Sequence, residues 1–102
     1  MNPYSYTKQP SDKRKIEFDP AKALSTGDTV TSATAIMYDN ADNSNVSATM
    51  ISGTPVITGN KIYVIIQGGS DGGTYWLKLT ATTTNGDIIE DDLKLFVKQV
   101  GK

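Results

Sequence analysis

Residues 72–98 read GGTYWLKLTATTTNGDIIEDDLKLFVK. Over 74–83, Tyr75, Leu77, Leu79 and Ala81 alternate with Trp76, Lys78, Thr80 and Thr82. A period of two is the mark of a strand with one face in a core and one in water. Asn85-Gly86 then marks a hairpin, read as a type I′ turn, in which both central residues need φ > 0. The return strand, 87–98, puts Ile89, Leu93, Leu95 and Val97 on one face. Asp92, Lys94, Phe96 and Lys98 fall on the other. Asp91 falls on the Leu93 face, which predicts a bulge near 90–92 to turn it outward.

Working back from this hairpin, the same kind of pattern recurs. Residues 60–67 alternate Ile62, Val64 and Ile66 with Tyr63, Ile65 and Gln67, and GGSDGG (68–73) forms a glycine-rich corner. Shorter runs at 55–58, 46–51, 29–38 and 14–19 complete seven predicted strands. Asp19-Pro20 stops the first of them, and Ala21–Leu24 reads as one helical turn with Asp19 as N-cap. Thr occurs 13 times, Ile 9 and Val 6, against 5 Leu, which suits a pleated surface. The predicted core is Ile16, Phe18, Val30, Ile36, Ile62, Val64, Ile66, Tyr75, Leu77, Leu79, Leu93, Leu95 and Val97. Many short strands at regular spacing in a chain of 102 residues imply one all-β domain, a sandwich or barrel, over 14–102.

Residues 1–13 differ. They carry Pro3, Pro10, Ser5, Ser11 and Gln9 and almost no aliphatic side chain. The charge is +3 through residue 15 and −4 over the remainder. This stretch is read as a short flexible basic arm, with Tyr4, Tyr6, Lys8 and Arg14 as the residues that would order on a partner. Tyr63 and Trp76, aromatic and on the polar sides of their strands, complete the candidate partner-binding set.

Composition excludes much chemistry. With 0 His and 0 Cys, there is no disulfide, no thiolate nucleophile, no His–Cys zinc site and no Ser–His dyad. Glu90 and Asp92 share a strand face and are the one carboxylate pair with a glycosidase-like arrangement. Charges on a solvated strand that blunt edge pairing are the better explanation of them. The loop Asp39–Asn45 offers oxygen ligands but lacks the spacing of an EF-hand. QGGSDGGTY has no P-loop lysine and leads into a strand, not a helix. No cofactor, metal or catalytic residue is therefore expected. A net charge of −1 argues against nucleic acid and against a polybasic membrane binder. The first residues hold no apolar run of signal-peptide type, so synthesis in the cytoplasm is expected.

KIEFD (15–19), LSTGDTVTSATA (24–35) and the Gly72–Lys98 hairpin together resemble small immunoglobulin-like (Ig-like) proteins of tailed bacteriophages and prophages. The resemblance covers about residues 13–98. It implies a seven-stranded Greek-key Ig-like sandwich without the antibody disulfide. It places Tyr75 at the tyrosine corner, its hydroxyl closing the preceding turn. It also implies a non-enzymatic virion structural or assembly protein that docks on other virion subunits and resides in the particle. A carbohydrate- or cell-surface-binding module is the alternative, for which no aromatic platform is evident in the sequence.

Overall fold

The computed structural model describes residues 4–20 and 23–99. Among them are seven strands: β1 (Tyr4–Lys8), β2 (Arg14–Phe18), β3 (Val30–Asp39), β4 (Ile51–Thr58), β5 (Lys61–Ile66), β6 (Thr74–Thr83) and β7 (Ile88–Val97). One short helix, α1 (Ser47–Met50), precedes β4. A four-stranded sheet has the order β1-β7-β6-β3, and a three-stranded sheet the order β2-β5-β4. This is the Ig-like sandwich the hairpin pointed to.

The two sheets enclose a single core. Phe18, Met37, Ile62, Ile66, Leu77, Leu79 and Leu95 are its largest fully buried side chains. The alternation read in β5, β6 and most of β7 is the alternation observed. Every predicted core residue is buried except Ile16 and Ile36, which are half-buried. Ile16 packs against the core from the rim. Ile36 lies on the wrong face: Met37 takes the inward place and is fully buried. The cause is a register shift between Val30 and Ser32, which changes the parity of the strand.

Three local expectations change. The strand expected over 46–51 is α1 at its start, where Thr49 and Met50 donate to the Val46 carbonyl. Asn45 Oδ1 turns the chain by accepting from the Ser47 N–H at 3.0 Å. The strand expected at 55–58 extends back to Ile51 through an irregularity at Gly53, whose φ is +74°. The β6–β7 hairpin is where Asn85-Gly86 placed it, but only Gly86 has positive φ. The Gly86 N–H donates to Thr83 C=O at 3.0 Å and the Thr83 N–H to Asp87 C=O at 2.9 Å. That is a type I turn closed by a glycine bulge, not a type I′ turn. The helical turn expected at Ala21–Leu24 includes residues 21 and 22, which lie outside the described residues. Ala23 and Leu24 both donate to the Pro20 carbonyl.

The largest correction concerns the arm. Tyr4–Lys8 is a parallel edge strand on β7, with Tyr4 opposite Leu93 and Lys8 opposite Val97. Residues 4–8 are therefore part of the sandwich, although they lie ahead of the boundary at residue 14 read from sequence. The clue was present but thin. In YSYTK, Tyr6 and Lys8 turn inward while Ser5 and Thr7 are exposed. Tyrosine and threonine favour strands as aliphatic residues do.

The corner between β5 and β6 is built on Tyr75. Its hydroxyl accepts a hydrogen bond from the Ser70 N–H at 2.9 Å, so the tyrosine corner is formed. Glycine is required beside it. A Cβ on Gly73 would lie 2.7 Å from the Tyr75 hydroxyl and 2.9 Å from the Ser70 carbonyl oxygen. Tyr75→Phe leaves the Ser70 N–H without this partner. It is expected to lower stability by about 1 kcal/mol, read as a drop in denaturation midpoint at unchanged slope.

Candidate interaction surface

The alternation that buries Leu77 and Leu79 turns their neighbours onto the outer face of the four-stranded sheet. Register then decides what meets there. Tyr38 lies opposite Trp76, and Trp76 opposite Lys94. Phe96 pairs with Thr74 on one side and Thr7 on the other. Three aromatic rings from three strands therefore share one face. Phe96 is 38% exposed. The Lys94 ammonium sits 5.5 Å from the Trp76 ring centroid and 5.4 Å from that of Phe96, within cation–π range of both.

The Asp39–Asn45 loop holds this face in place. Trp76 Nε1 donates to Asn40 Oδ1 at 2.9 Å, which orients the indole. Within the loop, Asp39 Oδ1 accepts from the Ala41 N–H and Asp42 Oδ1 from the Ser44 N–H. The Ser44 hydroxyl and N–H also hold the Asp42 carboxyl below its ordinary pKa. These oxygens serve the loop's own turns, as Asx residues commonly do. Beside the loop runs a groove of about 350 Å³ lined by Tyr38, Asn43, Trp76, Lys78, Glu90 and Asp92. Glu90 is salt-bridged to Lys78 at 3.6 Å. The carboxylate pair singled out in the sequence thus lines the groove.

The opposite face, on the three-stranded sheet, is separate. Tyr63 donates its hydroxyl hydrogen to Glu17 Oε1 at 3.1 Å, and Lys15 lies 5.4 Å from its ring centroid. That bond to Glu17, with burial added, raises the Tyr63 pKa. Lys61 completes the cluster, 3.9 Å from Glu17. Lys15, Thr54, Val56, Thr58, Tyr63 and Ile65 line a groove of about 420 Å³, with Val56 56% exposed.

The candidate residues therefore do not form one site. Trp76 and Tyr63 project from opposite faces of the sandwich. Lys8 is unavailable to a partner: it is 2% exposed, and its ammonium donates to the carbonyls of Gln9, Pro10 and Asp12. Burial holds its pKa below that of an ordinary lysine, and Asp12 partly offsets this. Tyr6, opposite Leu95, is half-buried against the core. The Tyr4 side chain lies outside the described residues. Arg14 is exposed at the start of β2. Sequence reading missed Tyr38 as a partner of Trp76. The signal was its separation by two residues from Ile36, which the sequence reading, blind to the shift near Val30, placed in the core.

Two buried carboxylates lie towards the hairpin end, their pKa values shifted in opposite directions, and each keeps one buried oxygen without a hydrogen-bond partner, Oδ2 in Asp28 and Oδ1 in Asp91. Asp28 Oδ1 accepts from the N–H groups of Thr29 and Asn85, at 2.9 and 3.1 Å. The Thr83 hydroxyl foremost, and these N–H groups with it, hold its pKa below the ordinary value. Asp91 is 5% exposed and faces Leu79, with Oδ1 buried and without a hydrogen-bond partner. Burial, with Asp92 adding to it, raises its pKa. The bulge expected here is absent: the β6–β7 register runs unbroken from Thr74–Phe96 to Thr82–Ile88.

The podophage GP4 fiber-tail adaptor protein gp77 family matches residues 8–96. The chain belongs to that family. As a member of the gp77 adaptor family it is a phage structural protein, with β2 to β7 almost wholly inside the matched span. The fold is shared more widely, and 20 solved chains match it. Murine CRIg is similar with a TM-score of 0.50 and 15% identity over 95% of this chain and 94% of that one. No curated protein sequence matches the chain.

Proposed function

We propose that this chain acts without catalysis, as a docking adaptor that joins two protein components of a podophage particle, one of them a tail fibre. Membership of the gp77 family supports a fibre-tail role. The observation that carries the reading is the outer face of the four-stranded sheet, where Tyr38, Trp76 and Phe96 gather around Lys94. Aromatic residues with a basic neighbour are the usual anchors of protein interfaces. An adaptor needs two surfaces that can be filled at once. The Tyr63 face, with Lys15 and Val56 and with Arg14 at the near end of β2, supplies the second on the far side of the sandwich. A rigid sandwich between them fixes the geometry of what it joins. Repeated copies on a particle would multiply modest affinities through avidity.

The test is a Tyr38→Ala/Trp76→Ala chain supplied in trans to particles lacking the wild-type copy. The double variant is expected to keep its fold, with the thermal midpoint within a few degrees of wild type. Truncating a central Trp anchor costs about 2 kcal/mol or more, so the affinity of the face for its partner should fall at least about 30-fold and the number of fibre-bearing particles should drop. Wild-type numbers of fibre-bearing particles would sink this assignment of the face. Absence of the wild-type chain from purified particles would sink the adaptor role itself.

A further inference from the structure

We infer that the groove on the three-stranded sheet takes an acidic segment of a partner protein, in which Asp or Glu residues stand beside aliphatic ones. The inference rests on the reading of that face as the adaptor's second surface. Register builds the groove. In β5, Ile62, Val64 and Ile66 are buried, which turns Tyr63 and Ile65 outward. Lys15 of β2 lies opposite Ile65, and Val56 of β4 opposite Tyr63. Ser52 also pairs with Ile65, so Gly53, Thr54 and Pro55 all stand opposite Val64. Such extra length bends a strand, and Thr54 lines the groove together with Val56 and Thr58.

The lining names the occupant. Val56, Ile65 and the Tyr63 ring supply an apolar floor that favours an apolar side chain. The polar groups around it can all donate: the Lys15 ammonium and the hydroxyls of Thr54 and Thr58. Among the described residues, no carboxylate lines the groove. Glu17, on the same face, is taken by the Tyr63 hydroxyl and by Lys61. Among the described residues, no carboxylate pairs with Lys15, whose ammonium rests by the Tyr63 ring. Lys13 and Arg14, exposed just before it, add positive charge. A carboxylate on the occupant would meet Lys15 in a charge-assisted hydrogen bond beside the apolar contact. The groove of the aromatic face differs, with Glu90 and Asp92 in its lining, so the two faces select different partners. A single ring falls short of the stacking platform that a nucleic acid needs.

The test needs no particle. A random peptide library displayed on yeast is sorted against the whole chain, and the enriched peptides are measured on Lys15→Glu, Val56→Asp and Lys98→Glu. All three residues are exposed, so thermal melts are expected to match wild type. Enriched peptides are expected to carry Asp or Glu beside aliphatic residues. They should bind Lys15→Glu and Val56→Asp at least about tenfold more weakly. Lys98→Glu, the same charge change beyond the end of β7, should bind as wild type does. No enrichment overturns the inference, as does equal loss on Lys15→Glu and Lys98→Glu. So does a single-stranded oligonucleotide that binds the groove as tightly as the peptides. Enriched peptides without acidic residues that still need Val56 overturn the acidic occupant but leave the face a docking surface. Particles supplied with Val56→Asp test that surface separately: wild-type numbers of fibre-bearing particles would remove it from the adaptor reading.

Discussion

Leu95→Ala is expected to lower the free energy of unfolding by about 2.7–5 kcal/mol, while Phe96→Ala, one residue on, is expected to cost less than about 1 kcal/mol. Leu95 is 0% exposed, at the middle of the half of β7 that has a neighbour on each side. Tyr6 of β1 and Tyr75 of β6 lie opposite it. Removing its isopropyl group leaves a cavity that strands held on both sides cannot close, so the cost includes both lost transfer energy and lost contacts. Phe96 is bulkier, but its ring lies on the outer face at 38% exposure. Its loss should register in docking instead. Urea denaturation of both variants checks the pair. Equal costs would mean that the alternation assigned to β7 is wrong.

Asp91→Val is expected to raise stability at neutral pH by about 1–3 kcal/mol. For a domain of this size that is about 4–8 °C in thermal midpoint per kcal/mol. The substitution removes a buried oxygen without a partner and places a β-branched side chain on the inward face opposite Leu79. Its pH dependence is diagnostic. Burial raises the Asp91 pKa, so the folded chain holds this proton more tightly than the unfolded one. The stability it contributes is fully present below the ordinary carboxylate value and is lost as pH rises through the higher folded value. The advantage of Asp91→Val should therefore be largest near neutrality and shrink towards about pH 4. Asp28 behaves oppositely. Its pKa is lowered, so its contribution is present above the ordinary value and is lost as pH falls through the folded one. Thermal melts of both chains from pH 4 to pH 8 measure this. A pH-independent difference would mean that Asp91 is not desolvated.

Much of this was legible along the chain. Period-two alternation in NKIYVIIQ and TYWLKLTATT depends only on neighbours two residues apart, so it named the inward faces of β5 and β6 without any tertiary knowledge. Tyr75 and the glycines before it announced a corner because glycine and a strand-opening tyrosine act locally. The absence of His and Cys excluded whole classes of chemistry by count alone. Other features needed partners distant in sequence. YSYTK became β1 only because Leu93–Val97 offered an edge 89 residues away. Lys8, exposed by every local criterion, is buried because the loop at 9–12 folds its carbonyls around the ammonium. Tyr38 met Trp76 because a register shift near Val30 turned it outward, and no pattern within β3 records that shift. Sequence determined which residues prefer to be inside a strand-built core, since burial preference and alternation are properties of the residues and their nearest neighbours. Tertiary structure alone decided which strand edges are covered, which rings share a face and which buried carboxylate finds a donor, since each depends on the register and reach of segments far apart in the chain.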